Sequence, residues 1–136
     1  MNIVLLIPIF KNTTWLQRRC DPVNDIFDNC LEFVGGKINV NEDIDIAGIR
    51  EFYEEVKIKL SKNDIVEWMS FDFKYPSFAK KHIFKTYKIN IEHNTNLYKQ
   101  LSENKKGQWY DIVTLDKLNI PKANIQIAKE LQKEIR

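Results

Sequence analysis

The stretch GKINVNEDIDIAGIREFYEEVKI, residues 36–58, carries more information than any other part of the chain. A glycine turn leads to Glu42, and a helix is predicted from Asp43 to about Lys57. Asp43 is placed to cap it, and Asp45 suits the positive end of the helix dipole. Ile46, Ile49, Phe52, Tyr53 and Val56 recur at helical spacing as the inward stripe. Glu51, Glu54 and Glu55 fall at i, i+3 and i+4, on another side of the same turn, with Cβ atoms about 5–6 Å apart. Acids that close repel one another unless a cation neutralises them. Mg²⁺ is bound through a few carboxylates together with substrate phosphates, so the chemistry this predicts is metal-assisted attack on a phosphate ester or anhydride.

A solvated helix face is the commoner reading of an isolated E-x-x-E-E. Gly36, Glu42 and Arg50 reverse those odds only through the family resemblance described below, whose fixed offsets they match. Arg50 and Glu54 also form an i,i+4 pair, worth little as a surface ion pair. The directional guanidinium is better suited to holding a catalytic carboxylate in one rotamer.

The chain has 136 residues, 43% hydrophobic and 29% charged, which fits one soluble domain over residues 1–136. A net charge of +2 with mixed signs lacks the clustered basic patch of a nucleic-acid groove, so no stable nucleic-acid complex is expected. A nucleotide needs only a few cations at one spot. Cys20 and Cys30 lack metal-type spacing and are expected as reduced thiols in a cytoplasm. The run Ile3–Ile7 is too short to span a bilayer and reads as a buried strand. No membrane partner is expected, and the chain is taken as a monomer.

Strands are predicted at Asn2–Phe10, Thr14–Arg19, Leu31–Val34, Ile65–Tyr75, His82–Ile91 and Trp109–Val113. Lys11-Asn12 reads as a hairpin turn, Asp21–Asn29 as a loop, and Asn94–Lys106 as a polar loop. Ala123–Ile135 reads as a terminal helix with Ile127, Ala128, Leu131 and Ile135 inward. Gly35-Gly36 permits torsions closed to other residues and close approach of a ligand. His82 and His93 lack ligand spacing and read as structural; Trp15 and Trp68 read as core. A mixed sheet with helices on both faces fits this order.

Gly36, Glu42, Arg50, Glu51, Phe52, Glu54, Glu55 and Ile58 fall on the spacing of the Nudix hydrolase signature, which this segment resembles. Lys57 stands where that family has glycine. A left-handed torsion would cost a lysine about 1–2 kcal/mol, so the helix is expected to run on past it. Leu31–Ile38 resembles the L-E-F-P-G-G-K-I stretch of the MutT-type 8-oxo-dGTP diphosphatase branch, with Val34 for proline. Gln17-Arg18-Arg19, Tyr75-Pro76 with Lys81-His82-Ile83, Gly107-Gln108-Trp109 and Pro121–Asn124 resemble further stretches of that branch. Gln108 replaces a glutamate there.

The resemblance implies a Nudix fold, an α/β/α sandwich around a mixed β-sheet. It implies a Mg²⁺-dependent enzyme, with Mn²⁺ as a substitute. That enzyme would hydrolyse 8-oxo-dGTP to 8-oxo-dGMP and pyrophosphate in nucleotide-pool sanitation. Glu51, Glu54 and Arg50 would be catalytic, with Glu51 orienting or deprotonating the attacking water. Gly35, Glu51, Glu54 and Glu55 would hold the metal. Arg19 and Lys37 would contact phosphates, and Phe33, Tyr75, Lys81 and Asn124 would line the base pocket. Three of these have plainer readings: Phe33 as core, Lys81 as a solvated strand residue, Asn124 as the N-cap of the last helix. The alternatives are a Nudix hydrolase of another nucleoside diphosphate derivative, or a catalytically weak nucleotide-binding module.

Overall fold

A computed structural model describes residues 1–19 and 30–135. The predicted loop Asp21–Asn29, and Cys20, lie outside the described residues. The chain divides into two compact units, Met1–Pro8 with Val34–Asn90, and Ile9–Phe33 with Ile91–Arg136. The strands form a mixed sheet carrying helices, an α/β fold.

In the first unit, β1 (Asn2–Phe10) contributes Val4, Leu5, Leu6 and Ile7, all buried in succession. A continuous apolar run is what a strand covered on both faces requires. β4 (Val34–Lys37) pairs antiparallel with it, Leu5 opposite Gly35 and Val4 opposite Gly36. On the other side of β1 lie β6 (His82–Asn90) and then β5 (Ile65–Phe73). The β5–β6 ladder is interrupted between Glu67 and Ser70. The buried Thr86 hydroxyl fills the gap, accepting from the Met69 N–H at 3.0 Å and donating to the Met69 carbonyl at 2.7 Å.

Helix α1 (Ile44–Val56) buries Ala47, Gly48, Phe52 and Val56. The expected stripe is therefore corrected: Phe52 and Val56 point inward, but Ile46 and Tyr53 are 40% and 51% exposed. The small residues explain the rotation. A Cβ on Gly48 would sit 2.9 Å from a Leu6 methyl, so the helix lies closer to β1 than a larger residue permits. Asp43 is the N-cap residue, but its side chain makes no capping bond.

The helix also does not run on. Lys57 takes φ 60°, ψ 29°, the left-handed conformation, and ends it. Its N–H bonds to the Tyr53 carbonyl at 2.9 Å and its ammonium to the Glu54 carbonyl at 3.0 Å, so the side chain caps the helix that its backbone terminates.

In the second unit, the end of β1 turns at Lys11 into β2 (Thr13–Arg18), which is flanked by β3 (Leu31–Glu32) and β7 (Gly107–Asp111). The predicted polar loop Asn94–Lys106 contains α2 (Thr95–Glu103), capped by the Asn94 side chain and burying Leu97 and Leu101. The strand predicted at Trp109–Val113 ends at Asp111 and passes into a 3-10 turn, Ile112–Lys117. Helix α3 (Lys122–Glu134) buries Ile127, Ala128 and Leu131 as expected, while Ile135 lies beyond its end and is half-buried.

Candidate active site

Arg50 organises the acidic turn. Its Nε and Nη2 donate to the two oxygens of Glu42 at 2.8 and 3.0 Å, a bidentate pair. Nη1 donates to Glu51 Oε1 at 3.0 Å and reaches both Glu54 oxygens at 3.2 and 3.3 Å. Nη2 also donates to the Lys37 carbonyl at 3.1 Å. The guanidinium hydrogen bonds, with the Asn39 N–H as a second donor, hold the Glu42 carboxyl below its ordinary range. Glu42 is likewise the main reason that Arg50 holds its proton even more tightly than an ordinary arginine. Fork geometry lets one guanidinium grip Glu42 bidentately while reaching Glu51 and Glu54, and the planar bidentate pair is what a lysine could not reproduce.

Two acids rest against the glycine strand. The Gly35 N–H donates to Glu55 Oε2 at 3.2 Å. A Cβ on Gly36 would lie 2.5 Å from the Glu51 carboxylate. No described glycine has positive φ, so the glycines are needed for close approach and not, as expected, for unusual torsions.

Among the described residues, no three His, Cys, Asp or Glu side chains gather around one point as metal ligands. Glu51 and Glu54 are drawn to Arg50 instead. The donors nevertheless suit a hard divalent ion in kind, being oxygen ligands from one helical turn. One guanidinium pairs with three carboxylates, leaving two negative charges in this ion-pair group for a cation to offset.

The first unit thus brings together Gly35, Arg50, Glu51, Glu54 and Glu55, with Lys37 joined through its carbonyl while its side chain is exposed. It also carries Tyr75, buried among the rings of Phe73, Phe78 and His82. Lys81 is solvated and paired with Asp72 at 2.9 Å. The second unit carries the other three. Arg19 pairs with Glu32 at 3.2 Å across β2 and β3, and Phe33 is buried.

Asn124 is 4% exposed, and its Oδ1 has no hydrogen-bond partner among the described residues. It is the third residue of α3, after Lys122 and Ala123, with Pro121 at the N-cap, so the capping reading is corrected. The sequence reading missed Glu42 as the chief partner of Arg50. The eight-residue offset was visible, but Glu42 precedes the helix, so helical periodicity could not pair them.

A Nudix domain model matches residues 2–132, and the chain belongs to the Nudix family. Membership in that hydrolase family implies hydrolysis of phosphoanhydride bonds in nucleotide substrates. The structure is similar to the MutT Nudix hydrolase of Burkholderia pseudomallei, at 16% identity over 96% of this chain and 95% of that one, TM-score 0.71. It is similar to a structure from the MutT pair of Aliivibrio salmonicida and Vibrio cholerae, at 23% identity over 96% and 93%, TM-score 0.66. It also resembles NrtR of Shewanella oneidensis, at 11% identity over 98% of this chain but 62% of that one, TM-score 0.73. No curated protein matches the sequence.

Proposed function

We propose that the chain is a Mg²⁺-dependent nucleoside triphosphate pyrophosphohydrolase acting on 8-oxo-dGTP, in nucleotide-pool sanitation in the cytoplasm. The observation that carries this reading is the acidic turn of α1, tied by Arg50 and set against Gly35 and Gly36. Glu51, Glu54, Glu55 and the Gly35 carbonyl would hold the ion, which when bound polarises phosphate oxygens and lowers the pKa of water. Glu51 orients the water that attacks the β-phosphorus or takes its proton. Arg50 fixes Glu51 and Glu54. Arg19 and Lys37 bind phosphates, and Phe33, Tyr75 and Lys81 flank the base.

The choice of base rests on Asn124. Oxidised guanine has an N7–H donor where guanine has an acceptor. A buried amide oxygen without a partner is satisfied by the first and left unpaired by the second. Sites of this kind discriminate by about 10⁴-fold or more. Turnover of dGTP against its 8-oxo form, in wild type and Asn124→Ala, tests this. Strong preference in wild type and its loss in the variant are expected, and equal wild-type rates would end the claim.

Gln108, a neutral amide exposed on β7, favours a second reading as a slow nucleotide-binding module. An amide oxygen can ligate a metal but cannot act as a base at neutral pH. Glu54→Gln separates the two readings, because a binding module releases pyrophosphate no faster than this variant.

A further inference from the structure

His82 is 7% exposed, and its Nδ1 has no hydrogen-bond partner among the described residues. It opens β6 opposite Phe73 of β5, and the connection between the two strands folds over it. Within that connection the Phe78 N–H donates to the Tyr75 carbonyl at 3.1 Å, and the Lys74 ammonium bonds to the carbonyls of Tyr75 and Phe78. The imidazole meets the Tyr75 ring at 5.6 Å and 87°. It meets Phe78 at 4.8 Å and 75°, and lies nearly parallel to Phe84 at 5.9 Å.

We propose that His82 is a positioning residue: its neutral imidazole holds the Tyr75 ring in place, and its protonation weakens nucleoside binding while leaving the chemical step alone. This rests on the reading in which Tyr75 lines the base pocket.

The surroundings give no welcome to a second imidazole proton. Among the described residues, the charged groups bonded beside the cluster include the Met1 amino group on the Lys81 carbonyl, the Lys74 ammonium, and Lys81 with Asp72. Three of these four are cations, and the Asp72 carboxylate is paired with Lys81. Burial first, and the Met1 charge second, hold the imidazole below its ordinary range. Attraction of an imidazolium to the ring faces offsets only part of that penalty. A charged His82 therefore relaxes toward water, and Tyr75, which packs on it edge-on, moves with it.

Ring resonances of His82 and Tyr75 are followed by NMR from about pH 7.5 to about pH 5, the range in which histidine titrates. KM and kcat for a purine nucleoside triphosphate with Mg²⁺ are measured over the same range, in wild type and His82→Phe. Tyr75 should shift with the His82 midpoint. Below that midpoint the wild-type KM should rise by up to about tenfold per pH unit. His82→Phe, which keeps a ring but no titrating group, should show a flat KM and the wild-type kcat profile. Tyr75 resonances that ignore the His82 titration would overturn the inference, and the wild-type protein alone suffices for that arm. A KM profile unchanged in His82→Phe would overturn it too. Coupled resonances with a flat wild-type KM would instead remove Tyr75 from the pocket, and this inference with it.

Discussion

Replacing Lys57 measures the backbone conformation that closes the acidic turn. A left-handed lysine carries about 1–2 kcal/mol of strain that glycine does not. Glycine in exchange loses about 0.5–1 kcal/mol through the freedom of its unfolded chain. The ammonium on the Glu54 carbonyl, exposed at a helix C-terminus, contributes about 0.3–1 kcal/mol. Lys57→Gly should therefore leave stability within about 0.5 kcal/mol of wild type, since the three contributions nearly cancel.

Lys57→Ala keeps the strain and loses the ammonium, so it should fall about 0.3–1 kcal/mol below wild type. The glycine variant should then exceed the alanine variant by about 0.75 kcal/mol. A 136-residue chain has an unfolding entropy of about 0.29 kcal/mol/K, so this is about 2.6 °C in Tm, well within reach of calorimetry. A helix running on through Lys57 would invert the order, with glycine about 1 kcal/mol below alanine. Alanine more stable than glycine would thus refute the reasoning, whatever the absolute values.

Gly36→Ala should push the Glu51 carboxylate away, because the new Cβ would lie 2.5 Å from it. The obstacle is the end of a flexible side chain, so Tm should hold while kcat for pyrophosphate release falls. Arg50→Lys removes the fork that joins Glu42, Glu51 and Glu54. Its activity should drop by about 10- to 100-fold, the range for loss of an orienting partner, with the circular dichroism spectrum unchanged. Stability should fall in two steps as the solution is acidified, read from denaturant midpoints. The His82 contribution is full above the ordinary imidazole value and is lost as pH falls through the lower folded one. The Glu42 contribution is full above the ordinary carboxyl value and is lost as pH falls through its own lowered one. His82→Phe should abolish the first step only.

The sequence displayed what depends on local periodicity and fixed spacing. The apolar run of β1, the acids at i, i+3 and i+4, and the aromatic and β-branched residues of β5 and β6 were all legible. What it hid depends on packing partners. The inward face of α1 is set by Gly48 against Leu6, a contact between distant residues, so the larger Ile46 looked like core and is exposed. Helix α2 was masked by polar residues around Leu97 and Leu101, although Asn94 capping the Leu97 N–H was a visible signal. The left-handed Lys57 runs against propensity, and its side chain on the Glu54 carbonyl offsets only part of the cost. At the site, the chemistry of the acids was readable, but the pairing of Arg50 with Glu42 needed the turn that precedes the helix.

Hydrolysis of 8-oxo-dGTP in ¹⁸O-labelled water with Mg²⁺, run beside Glu54→Gln, tests the central claim most directly. The account predicts label in pyrophosphate, none in the nucleoside monophosphate, and product release far above that of the variant. Label in the monophosphate, or release no faster than Glu54→Gln, would contradict it.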